Sequence, residues 1–81
     1  MTQNQEIKLS ELLPGQEARV VRVGAQGPIR QRLIEMGFIK GAHLRLERLA
    51  PLGDPMELVI KGYHLSLRKE EGACITVAPE G

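Results

Sequence analysis

Three side chains in this 81-residue chain have the chemistry of a nucleophile or a soft metal ligand: the single cysteine, Cys74, and the two histidines, His43 and His64. A cysteine becomes reactive when a neighbouring cation or a helix N-terminus stabilises its thiolate. Cys74 lies in a strand-like stretch with no adjacent histidine, so it reads as a packing or surface residue. Neither histidine has a second ligand at the spacing of a structural zinc site. Both fall on the polar side of strand-like segments, which leaves one metal arrangement open, a site shared by His43 and His64 across the fold or between two molecules. The nine glycines form neither G-x-x-x-x-G-K-[ST] nor G-x-G-x-x-G, so they suit turns rather than a phosphate cradle, and no cofactor is expected. A catalytic site needs a nucleophile, a base and a pocket together, and the chain offers few candidates for any of them.

Composition narrows the partners. Eleven Lys and Arg stand against ten Asp and Glu, a balance that gives no overall attraction to phosphate or anionic lipid. Nucleic-acid binding also needs stacking platforms, and Phe38 and Tyr63 are the only aromatic residues. Arg19, Arg22, Arg45 and Arg48 are the one set that could gather into a basic patch. No apolar run approaches the roughly 20 residues that span a bilayer, and the lone cysteine forms no internal disulfide. A cytoplasmic location is the expectation.

The elements that would position these residues follow from periodicity. Ile29, Leu33 and Met36 share one helical face. Pro28 suits the first turn and Gly37 the exit, so the stretch predicts a helix of about two to three turns that docks all three apolar side chains. Gln16–Val23 reads as the first long strand, mixed in pattern as a bent strand is. Leu44 and Leu46 alternate against His43, Arg45 and Glu47, although Leu49 breaks the alternation. Met56, Leu58 and Ile60 resume it, Lys61-Gly62 is short enough for a hairpin turn, and Tyr63–Leu67 returns. Ser10 is placed as the cap of a single turn ended by Pro14-Gly15. Lys69–Gly72 reads as a polar corner, and Ala73–Val77 as the last strand. The expected layout is a loose segment at 1–6, one domain over 7–78 and a loose tail at 79–81. About five short strands around an aliphatic core point to a mainly β fold, a small bent antiparallel barrel with one inserted α-helix.

The stretch Arg32-Leu33-Ile34-Glu35-Met36-Gly37-Phe38-Ile39-Lys40-Gly41, then Ala50-Pro51-Leu52-Gly53-Asp54-Pro55, then Leu65-Ser66-Leu67-Arg68 resembles the FeoA family. The order and spacing match, and with Leu12-x-Pro14-Gly15 the resemblance runs from about Leu9 to Val77. It implies an SH3-like β-barrel. It also implies a non-catalytic cytoplasmic accessory of ferrous-iron uptake that binds and modulates the transporter FeoB through the transporter's cytoplasmic region, with the GTP-binding domain as the expected contact. The membrane is then reached only through that partner.

A rigid barrel exposes its binding residues on loops and on an inserted helix. The expected partner surface joins Arg30, Arg32 and Glu35 of the helix to the loop Leu52-Gly53-Asp54. The plainer reading of the same residues is a solvated face, with Arg32 paired to Glu35 three positions on for about 0.2–0.5 kcal/mol. Leu49, Leu52 and Ile34 fall outside the inward patterns and could instead serve a weak homomeric contact. The other readings are a nucleic-acid-binding barrel and a peptide-binding groove, which with so few aromatic residues would have to be aliphatic.

Overall fold

A computed structural model describes residues 5–80. The strands are β1 (Ile7–Lys8), β2 (Glu17–Val23), β3 (His43–Leu49), β4 (Met56–Ile60), β5 (Tyr63–Leu67) and β6 (Ile75–Glu80). Two helices join them, α1 (Gly27–Glu35) between β2 and β3 and the one-turn α2 (Lys69–Gly72) between β5 and β6. All pairings are antiparallel, in the order β1-β6-β2-β3-β4-β5. Among the described residues the sheet has six strands rather than the expected five, because Ile7–Lys8 adds a short one.

Local chemistry explains most of the elements. At the end of α1, Phe38 N–H donates to Leu33 O at 3.1 Å and Gly37 N–H to Ile34 O at 3.0 Å. This is the Schellman closure, and it requires the positive φ of +111° at Gly37. Lys61 and Gly62 both have positive φ, +53° and +81°, the two-residue turn whose twist matches a hairpin. Register shifts interrupt β2/β6 between Val20 and Arg22 and β3/β4 between Leu46 and Arg48. Such bulges bend strands and reverse the inward parity, which accounts for the mixed pattern of β2 and for Leu49 falling out of step.

The core is aliphatic apart from Phe38, and includes Leu9, Leu12, Leu33, Leu44, Leu46, Met56, Leu58, Ile60, Leu67, Ile75 and Val77. The edge strands β1 and β5 are not paired to each other. The 3-10 turn Leu9–Glu11 and α2 fill that seam, where a Cβ at Gly72 would lie 3.5 Å from Ser10 N of the turn and 2.9 Å from Met56 Sδ of β4.

Four expectations need correction. Ile29 does not dock: Leu33 is fully buried and Met36 partly so, whereas Ile29, one turn earlier, is 52% exposed. The helix meets the barrel with its C-terminal half. The single turn near the start begins at Leu9, so Ser10 lies inside it and is not its cap. Glu11 supports that turn instead, accepting from Lys8 N–H at 3.2 Å. The polar corner Lys69–Gly72 is the helix α2. Finally β6 runs on through Pro79 and Glu80, which pair with Ala18 and Glu17 rather than forming a loose tail. Of the end segments expected to be loose, residues 1–4 and 81 lie outside the described residues.

Candidate functional site

The two halves of the expected partner surface both lead to α2. From the helix side, Arg32 Nη1 donates to Glu71 Oε2 at 2.9 Å. From the loop side, Asp54 Oδ1 accepts from Lys69 N–H at 3.0 Å. Arg32 therefore does not take Glu35 as its partner. Glu71 wins because its side chain is only 10% exposed, and a shielded carboxylate attracts a cation more strongly than one in open water. The other oxygen of Glu71 accepts from Arg68 N–H at 3.0 Å, so one side chain both closes the first turn of α2 and ties that helix to α1.

Between the helices lies an open cleft of about 490 Å³ lined by Ile29, Arg32, Arg68, Glu70, Glu71 and Cys74. The undocked Ile29 supplies an apolar wall. Cys74 is half-buried, its Sγ 3.6 Å from Glu70 O. Arg30 and Glu35 stand exposed on α1, and Leu52, at the tip of its loop, is 94% exposed. The residues brought together are thus Arg32 and Asp54, each by way of α2. Arg30 instead borders a separate recess with Val21, Ile34 and Phe38, and Glu35, Leu52 and the half-buried Gly53 are not tied to α2 by any hydrogen bond or ion pair among the described residues.

Glu71 escaped the reading of the sequence. Its signal is faint: a glutamate three positions after Arg68, in the place where an acidic side chain can reach back to the residue preceding a helix. Arg68 is not a usual capping residue, and the run Lys69-Glu70-Glu71 reads as solvated charge.

The histidines separate. His64 Nδ1 lies 3.7 Å from Glu47 Oε1, whereas His43 Nε2 lies 2.7 Å from Glu17 Oε1 and 3.2 Å from Glu80 Oε1. The site shared by His43 and His64 is not built. The four arginines considered for a basic patch are each matched to a glutamate, Arg19 to Glu80, Arg22 to Glu6, Arg45 to Glu47 and Arg48 to Glu57. Each of these arginines is thus locally balanced by a carboxylate. Among the described residues no helix is long and apolar enough to cross a membrane.

The model of the FeoA domain family matches residues 7–79. A fusion protein of Fe(2+) transport protein A and the Fe(2+) transporter FeoB from Porphyromonas gingivalis is 44% identical over 71 residues, covering 88% of this chain but 8% of that relative. The chain therefore spans a small fraction of the curated relative it matches. The solution structure of FeoA from Chlorobium tepidum is 43% identical, with a TM-score of 0.86 over 93% of this chain and 71% of that one. FeoA of Stenotrophomonas maltophilia, a prokaryotic SH3-domain protein solved in complex with zinc, is 31% identical, with a TM-score of 0.80 over 91% of this chain and 95% of that one.

Proposed function

The chain belongs to the FeoA domain family, and on that premise we propose that it is a non-catalytic cytoplasmic accessory of ferrous-iron uptake that binds the cytoplasmic region of FeoB and modulates transport. The observation that carries this reading is the Porphyromonas gingivalis relative, in which a matching domain and the transporter share one chain. Fusion holds two modules at a high effective concentration, an arrangement that suits partners which meet in function.

The surface offered to the transporter is the α1/α2 cleft with the loop beside it. Arg30 and Glu35 present charge on the outer face of α1, Leu52 is an apolar tip free of the core, and Gly53 and Asp54 set that tip against the start of α2. An exposed apolar side chain rimmed by charge has the make-up of an interface anchor. The GTP-binding domain is the contact within FeoB, and a weak homomeric contact through Leu52 is the competing use of the same surface.

Titration of the FeoB cytoplasmic region in each nucleotide state tests both the partner and the face. Leu52→Asp and Arg30→Glu are expected to weaken binding about tenfold or more, roughly 1.4 kcal/mol, without altering thermal stability. Absence of binding at physiological salt refutes the partner, and unchanged affinity in both variants refutes the face. Sedimentation over a concentration series separates the homomeric use.

A further inference from the structure

We propose that Glu17, His43 and Glu80 form a binding site for one divalent first-row transition-metal ion where β2, β3 and β6 run side by side. The sheet register sets Glu17 directly opposite Glu80. Like charges facing each other across a ladder are destabilising, and a cation between them reverses the sign of that interaction. His43, paired with Arg19 on β2, is the diagonal neighbour of Glu17 and turns its Nε2 toward the carboxylates.

The donor atoms are spaced as ligands. His43 Nε2 lies 2.7 Å from Glu17 Oε1 and 3.2 Å from Glu80 Oε1, and the group offers one donor each within 4.8 Å of one another. Ligands about 2.1 Å from an ion and at right angles to each other are about 3.0 Å apart. The two spacings from His43 are within a few tenths of an ångström of that value. One imidazole with two carboxylates is a mixed N/O donor set, which suits divalent first-row metals rather than Ca²⁺ or Cu(I).

Two features outside the triad support it. Arg19 Nε holds the far oxygen of Glu80, Oε2, at 2.6 Å, and its Nη1 donates to Gly41 O at 3.0 Å. That clamp leaves Oε1 facing His43, the role that outer hydrogen bonds play in orienting ligands. On the other side, Glu17 and His43 open onto a cleft of about 320 Å³ whose walls include Ala42, Val59 and Gly62. This leaves room for the remaining coordination positions. Arg45 and Lys61 also line the cleft, so water or a small anion fits those positions better than a further cation.

The test is titration of the intact chain with Zn²⁺ and with Co²⁺, by calorimetry and by amide chemical shifts, with Cys74→Ser throughout so that the thiol does not compete. Saturable one-to-one binding is expected, with the largest shifts at Glu17, His43 and Glu80. His43→Gln and Glu17→Gln should each weaken binding at least tenfold while preserving the remainder of the spectrum, and His64→Gln should leave it unchanged. Equal affinity of the parent and His43→Gln, a loss in His64→Gln of similar size, or no saturation in the millimolar range overturns the proposal. In that last case the triad is an ion-pair cluster only.

Discussion

Replacing Glu71 with alanine removes two hydrogen bonds and, with them, the tie between α1 and α2. The bond to Arg32 joins a carboxylate that is 10% exposed to a guanidinium that is 62% exposed, so solvent weakens it to the range of a surface pair, about 0.5–1 kcal/mol. The bond from Arg68 N–H closes the first turn of α2 as a cap does, and the loss of a cap costs about 1 kcal/mol. The sum is about 1.5 kcal/mol, which for a domain of this size lowers the melting temperature by about 6–12 °C. Glu71→Gln keeps an acceptor for Arg68 and should cost about half as much. Arg32→Ala leaves Glu71 Oε2 short of its partner, at the low end of the usual penalty of about 1–3 kcal/mol because water can enter from the Arg32 side. The assay is thermal and urea unfolding of the parent, both single variants and Arg32→Ala/Glu71→Ala, with the coupling energy from the double-mutant cycle expected at about 0.5–1 kcal/mol. A Glu71→Ala cost under about 0.5 kcal/mol, or a coupling energy indistinguishable from zero, would refute the reasoning. The result also bears on interface mapping. Arg32→Glu would loosen α2 as well as alter any contact surface, which is why Arg30→Glu and Leu52→Asp are the cleaner probes.

Leu33→Ala should destabilise by about 2–5 kcal/mol, as deletion of a fully buried leucine does, whereas Ile29→Ala should cost under about 1 kcal/mol since half of that side chain already meets water. Urea unfolding of the two variants side by side reads the difference, and equal costs would mean that the helix docks along its whole length. Lys61→Asn should raise stability by about 0.5 kcal/mol, because Lys61 holds a φ of +53° that asparagine tolerates better. A lower melting temperature for that variant would count against the hairpin geometry.

Much of the fold was legible in the residues because it is encoded over a few positions. Alternation marked β3, β4 and β5, and the apolar spacing with Pro28 and Gly37 marked α1 and its exit. Lys61-Gly62 marked the hairpin that two positive φ values make. The Leu52-Gly53-Asp54 loop was legible as an exposed connection between strands, although its role toward a partner is a proposal.

What the local pattern left undecided depends on residues far apart in the chain. Periodicity places Ile29 on the face of Leu33, but only the angle at which α1 meets the barrel leaves it in water. A run of charges such as Lys69-Glu70-Glu71 looks uniformly solvated, yet the seam between β1 and β5 draws Glu71 inward to meet Arg32. Pro79 and Glu80 carry no strand signal of their own, and β2 supplies the partners that extend β6. The sequence by itself determined the elements, their ends and the aliphatic core, since backbone propensity and side-chain period act within a few residues. Tertiary structure alone decided which charges meet. It set Glu17, His43 and Glu80 together from three strands, because cross-strand register is a property of the assembled sheet and not of any one segment.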